Sequence, residues 1–251
     1  MTNAKVVVGL SGAMLLLQLA LPSLAGTVSL SQAKSMRSEF NTASYRTSTD
    51  DGDIKVVFIG NSITLHGVNA RIGWTNVWGM AASAPEKDYV HLVASGIAQR
   101  TGRKPKLRVR NLAEFERGFE TYDFSKIRDL VDFEPDVLVV ALGENVPNLT
   151  TERERLAYTD GFKRLLGQFM RSVVKPRVVV RGVFWPVEWK DVCMANAAKS
   201  CAVPFVKADF GRDPKTKAIG LFANRDVANH PGDSGMAAIS RAILEGLFPK
   251  Q

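Results

Sequence analysis

Five short Val-rich runs alternate with longer segments of helical spacing, and this alternation limits the possible folds more than any other feature of the chain. The runs cover residues 55–59, 107–112, 136–142, 177–184 and 204–207. Gly, Pro, Asn or charged residues bound each of them. Segments 89–100, 124–133, 152–173, 190–199 and 234–248 have the three- and four-residue apolar steps of a helix face, as in Val90, Val93, Ala94 and Ile97. Strand–helix alternation predicts an α/β fold with a central, mostly parallel sheet and helices on both faces. Strands buried in such a sheet are apolar throughout, as Val137 to Leu142 is. No internal repeat is present.

The first 25 residues stand apart from this pattern. Lys5 is their only charge, Val6 to Leu21 is nearly all apolar, and Ser23-Leu24-Ala25 offers small residues for cleavage. These are the marks of a secretory signal peptide cut before Gly26, with a retained membrane anchor as the other reading. Residues 26–53 are rich in Ser, Thr, Ala and Asp and read as a linker or weakly ordered arm. Residues 54–251 then form one domain. No second stretch is apolar enough to span a membrane, so stable insertion is not expected after cleavage. The expected location is secreted or periplasmic. In an oxidising compartment, Cys193 and Cys201, eight residues apart, are expected to form a disulfide.

The net charge is +8, and its densest cluster comprises Arg100, Arg103, Lys104, Lys106, Arg108 and Arg110. Two readings stand: a solvated basic face, or attraction to anionic glycans and envelope surfaces. No nucleic-acid module is recognisable.

Ligands of open parallel sheets gather beyond the carboxyl ends of the strands. Here those ends are Gly60-Asn61-Ser62, Asn111-Leu112-Ala113, Gly143-Glu144-Asn145 and Trp185-Pro186. The loop Asn229-His230-Pro231 precedes the last helical segment. One pocket can therefore collect a serine, an asparagine and a histidine. A serine hydroxyl becomes a nucleophile when a base takes its proton, and histidine is the usual base. His230 sits in a loop and is free to approach Ser62. His66 follows Ser62 by four residues and can line the pocket, and His91 lies within a helical segment. The Ser62 N–H, at the start of an expected helix, and the Asn145 amide can face a developing oxyanion. Trp74 with Trp78, and Trp185 with Trp189, are spaced either to stack on a sugar ring or to pack in the core.

Gly60-Asn61-Ser62-Ile63-Thr64 resembles the first block of the SGNH, or GDSL-like, hydrolases, with Asn in place of the usual Asp. Gly143-Glu144-Asn145 resembles their Gly-x-Asn block, and His230-Pro231 with Gly235 is similar to their C-terminal histidine block. The resemblance covers residues 54–248. It implies a flavodoxin-like three-layer α/β/α sandwich and ester hydrolysis without metal or cofactor. It also implies Ser62 as nucleophile, Asn145 as oxyanion donor and His230 as base. The family's second oxyanion donor is a glycine N–H after the second strand, and Glu116 falls near that place. Its acid lies three residues before the histidine, where this chain has Val227. Asp226 is the nearest acid, and Asp233 is expected to cap the last helix. Trp74, Trp78 and Gly79-Met80-Ala81-Ala82 are similar to carbohydrate-directed acetylesterase members, so His66, Trp74 and Trp185 are candidate substrate contacts. The expected activity is esterase action on small acyl groups of a small-molecule or glycan ester. An acyltransferase, or a glycan-binding protein without catalysis, is the alternative.

Overall fold

The computed structural model describes residues 52–171 and 174–250. The expected signal peptide, and the linker up to residue 51, lie outside the described residues. The strands are β1 (Ile54–Gly60), β2 (Pro105–Asn111), β3 (Val137–Ala141), β4 (Arg177–Arg181) and β5 (Phe205–Val206). All pairings are parallel, in the order β2-β1-β3-β4-β5. This is the flavodoxin-like strand order, whose switch point lies between β1 and β3. The longer helices are α1 (Tyr89–Thr101), α4 (Glu152–Phe169), α5 (Glu188–Ser200) and α7 (Asp233–Leu247). Shorter ones are α2 (Ala113–Arg117), α3 (Arg128–Val131) and α6 (Arg225–Ala228).

Side chains alternate across a strand, so each strand feeds two cores. Val57, Ile59, Leu138 and Val140 pack with Phe162, Leu165 and Met194 of α4 and α5. Val56, Phe58, Val137 and Val139 pack with Val90, Val93, Ile239 and Ile243 of α1 and α7. Central β3 is buried along its whole length, which explains its unbroken apolar run. Edge strand β2 instead alternates buried-side residues with exposed Lys106 and Arg108, charges that discourage pairing with a further strand.

Several expectations need correction. Segment 124–133 begins as a 3-10 turn, Phe124–Ile127, before α3, because Asp123 caps the Ser125 N–H in a tight bend. The basic cluster is partly paired. Arg110 Nη2 lies 2.7 Å from Asp129 Oδ2, and Arg108 stacks on Phe133. Cys193 and Cys201 are free. Helix α5 separates them by eight residues, about 12 Å at 1.5 Å per residue, beyond the roughly 7 Å a disulfide tolerates between Cα atoms. The buried Cys193 thiol instead faces the Arg155 carbonyl at 3.6 Å. Trp74 is fully buried with Met80, Ala81, Ala218 and Val227, and its indole donates to the His66 carbonyl. Core packing, rather than sugar stacking, is its role. Asp233 does not cap α7; Gly232 occupies that place. The Asp233 carboxylate accepts from the Ser83 N–H and hydroxyl and pairs with Lys87, tying the 83–87 segment to α7.

Candidate active site

The site lies at the carboxyl ends of β1 and β3. Gly60 closes β1, and a Cβ there would fall 2.8 Å from the Ala141 carbonyl oxygen and collide with Thr64. Glycine leaves room for this close approach of β1 to Thr64 and β3. The Asn61 carbonyl accepts from the N–H groups of Thr64 and Leu65, and the Asn61 side chain accepts from the Ile63 N–H. Ser62 therefore rides on one hydrogen-bonded turn, not on the expected helix. Its carbonyl accepts from Met80 N–H at 2.9 Å. Within the described residues no acceptor engages the Ser62 N–H.

His230 arrives from the other end of the chain. Asn224 caps α6 through the Asp226 and Val227 N–H groups, and His230 N–H donates to the Val227 carbonyl. This tight turn brings the imidazole to Ser62, with Oγ and Nε2 2.9 Å apart. His230 Nδ1 lies 2.7 Å from the main-chain carbonyl oxygen of Asp226. A carbonyl can only accept, so Nδ1 carries the proton and Nε2 presents its lone pair to the hydroxyl. The geometry thus brings together the expected histidine and the expected Asp226, but through the Asp226 backbone. Its carboxylate is not the ring's partner. The edge of Trp185 packs against the imidazole at 5.1 Å between centroids, and its indole donates to the Asn229 carbonyl. Burial lowers the His230 pKa, opposed by the Asp226 carbonyl and the Glu144 charge.

A cavity of about 550 Å³ opens above these groups and is lined by Ser62, His230, Asn145 and His66. Ile72, Met80 and Val227 make its apolar wall. His66 Nδ1 is engaged by the Gly67 carbonyl at 2.6 Å. The carboxylate-bearing Asp226 also lines the cavity, whereas Trp74 and Trp185 do not.

Glu116 departs most from expectation. Its N–H is spent inside α2 on the Leu112 carbonyl, and the residue is fully buried. It therefore cannot supply a backbone oxyanion donor. Its carboxylate instead accepts from Asn61 Nδ2, from the N–H groups of Gly143 and Asn145, and from Asn145 Nδ2. The same Asn61 Nδ2 donates at 2.6 Å to Glu144, which in turn pairs with Arg181 at 2.7 Å and accepts from Phe184 N–H. An amide between two buried carboxylates explains why Asn stands at position 61. An Asp would place a third negative charge between Glu116 and Glu144. Burial and the Glu144 charge push the Glu116 carboxyl upward. Burial opposes ionisation of Glu144, but the Arg181 guanidinium, together with the Phe184 N–H and the Asn61 amide, holds that carboxyl down. On the other side of the loop, Lys190 Nζ donates to the carbonyls of Gly143, Glu144 and Val146 at 2.8–3.1 Å.

Glu144, Arg181 and Lys190 were given no role at the level of sequence, and Glu116 was expected to act through its backbone, not its carboxylate. One signal was present: Arg181 ends β4 directly after three buried valines, and a charge in a buried strand needs a partner. Among the described residues, no group of His, Cys, Asp and Glu is arranged to hold a metal ion, and no helix is long and apolar enough to cross a membrane.

No protein-family profile matches the chain, and no curated protein matches its sequence. Solved structures do match. A two-domain esterase active on acetylated mannans aligns over 80% of this chain with 18% identity and a TM-score of 0.54. This chain spans only 51% of that protein. A catalytic mutant of an acetylxylan esterase from Geobacillus stearothermophilus aligns over 79% of this chain and 96% of its own, with 14% identity and a TM-score of 0.51. A GDSL-like lipase structure from Bacteroides uniformis aligns over 79% and 97%, with 15% identity and a TM-score of 0.53. The five-stranded parallel sheet, its strand order and these likenesses give the chain the SGNH, or GDSL-like, hydrolase fold.

Proposed function

We propose that the protein is a serine esterase that removes small acyl groups, acetyl foremost, from a glycan or small-molecule ester. The observation that carries this reading is the Ser62 Oγ–His230 Nε2 contact of 2.9 Å, with the other ring nitrogen held by a carbonyl. In the first step Ser62 Oγ attacks the ester carbonyl carbon while its proton passes to His230 Nε2. The carbonyl π pair moves onto oxygen, and that oxyanion accepts from the Ser62 N–H and from Asn145 Nδ2. As the intermediate collapses, the C–O bond to the leaving alcohol breaks and His230 returns the proton to that oxygen. The acyl group is now on Ser62. Water, deprotonated by the same Nε2, attacks the acyl carbon, and the carboxylic acid leaves as Ser62 regains its proton.

The catalytic unit in this reading is a Ser62–His230 dyad oriented by the Asp226 carbonyl, with the Asp226 carboxylate dispensable. His66 contacts substrate across the cavity, and Trp185 steadies the imidazole. A carbohydrate ester fits the acetylated mannan and xylan substrates named for the structural neighbours. Export through residues 1–25 would place the enzyme where such polymers occur. The test is hydrolysis of p-nitrophenyl acetate, followed by acetate release from acetylated xylan and mannan, for wild type and Ser62→Ala. A sugar acceptor supplied with the ester separates transfer from hydrolysis, because transfer yields a new sugar ester.

A further inference from the structure

We infer that Glu116 is a positioning residue for ester turnover, its ionised carboxylate clamping the Asn145 amide and the 143–145 backbone so that the oxyanion donors are assembled before substrate binds. The inference rests on the esterase reading and adds to it a residue outside the substrate cavity.

Four N–H groups converge on this one carboxylate. Oε1 takes Asn61 Nδ2 at 3.0 Å, Gly143 N at 2.5 Å and Asn145 N at 3.3 Å. Oε2 takes Asn145 Nδ2 at 2.5 Å. An ionised carboxylate is acceptor-only, with lone pairs for about four such contacts, so it satisfies the whole set. The Asn145 amide nitrogen carries two protons. Glu116 holds one, which fixes the rotation of the amide and leaves the other for the cavity that Asn145 and Ser62 both line. The loop cannot slide, because Lys190 grips its carbonyls from the far side. Asn61 joins the clamp to the nucleophile's own turn, since its Oδ1 accepts from the Ile63 N–H beside Ser62. One carboxylate thus sets the separation between the serine and the oxyanion donor. Filling space does not require this group. A buried charge is costly to desolvate, and an apolar side chain would fill the same volume without that cost.

The geometry makes Glu116→Gln informative. Glutamine has one acceptor oxygen and one donor nitrogen. Its oxygen can serve the three N–H groups on the Oε1 side, but its NH2 then abuts the NH2 of Asn145. The amide of Asn145 loses its anchor while the loop keeps most of its contacts. We expect kcat for p-nitrophenyl acetate to fall by about tenfold to a hundredfold, up to the lower end of the roughly 10²–10³-fold cost of losing an oxyanion donor outright, because the donor is loosened and not removed. KM should stay within about twofold, because the donor acts on the transition state. In an Asn145→Ala background the same change should cost less than about twofold more, because its target is already gone. A folded Glu116→Gln variant with near-wild-type kcat would overturn the inference, as would fully multiplicative losses in the double variant.

A second measurement needs no substitution of Glu116. With selectively 15N-labelled asparagine, and Asn145→Ala to assign the signal, the Asn145 side-chain amide of the wild type should have one proton shifted downfield and slow to exchange. An amide exchanging as fast as that of exposed Asn148 would refute the clamp. This readout is independent of turnover. If Ser62→Ala keeps wild-type activity, the esterase reading fails, and the amide signal still decides whether Glu116 holds Asn145.

Discussion

His230 Nδ1 meets the main-chain carbonyl of Asp226, not its carboxylate, at 2.7 Å. The four-residue spacing causes this. Asp226 lies in α6 and His230 follows two residues after its end, and in a helix carbonyls point toward the C-terminus while side chains lean back toward the N-terminus. A carbonyl fixes the tautomer as a carboxylate would, but it offers less stabilisation to the imidazolium. Asp226→Asn should therefore retain most of the wild-type kcat, within about fivefold. In a true triad the equivalent change costs about 10⁴-fold. Steady-state kinetics on the two proteins measure the difference, and a loss of a thousandfold or more would show that the carboxylate swings in during turnover.

The pH profile follows from the surroundings of His230. Burial lowers its pKa below the ordinary 6.5, and nearby His66 acts in the same direction. The Asp226 carbonyl and the Glu144 and Asp226 charges oppose this without reversing it. The base works when neutral, so lowering its pKa extends activity toward acid. The acid limb of kcat/KM, which reports the free enzyme, should have its midpoint below 6.5. A midpoint above 6.5 would contradict the assigned balance.

The carboxylate pair beneath the site makes a stability prediction. Asn61→Asp replaces an amide donor shared by Glu116 and Glu144 with a third acceptor. The buried repulsion should destabilise the fold by about 3–5 kcal/mol, the scale for an uncompensated buried charge. Urea unfolding measures it at neutral pH. Equal stability of the two proteins would show that the carboxylates are not both ionised.

Gly143 gives a separate test of the oxyanion loop. Its φ is +127°, and an added Cβ would lie 2.7 Å from Val183 Cγ1. Gly143→Ala should cost about 1–3 kcal/mol for the backbone conformation alone. It should also lower kcat by displacing Asn145. Thermal unfolding and p-nitrophenyl acetate kinetics on the same sample check both effects.

The sheet was legible because its strands are short, Val-rich and sharply bounded; β3 was found within one residue at each end. That Ser62, Asn145 and His230 line one cavity was legible because they stand at strand ends and before the last helix, where topology collects ligands. Glu116 was misread because sequence order near β2 does not reveal that α2 turns its amide inward and its carboxylate toward β3. Trp74 was misread because four-residue spacing is shared by a sugar platform and a core pair. Here the loop folds back so that Trp74 meets Trp78 and Phe222, each at 6.0 Å. The cysteines were misread because spacing along a chain becomes distance along a helix once α5 forms.

The central claim is that Ser62 carries the acyl group, and intact-protein mass spectrometry during p-nitrophenyl acetate turnover tests it most directly. On rapid acid quench, wild type should show an acetyl adduct of about 42 Da, mapping to the peptide that contains Ser62. Asn145→Ala should form the adduct more slowly, and Ser62→Ala should form none while its turnover falls to background. An adduct on another residue, or wild-type turnover in Ser62→Ala, would contradict the account.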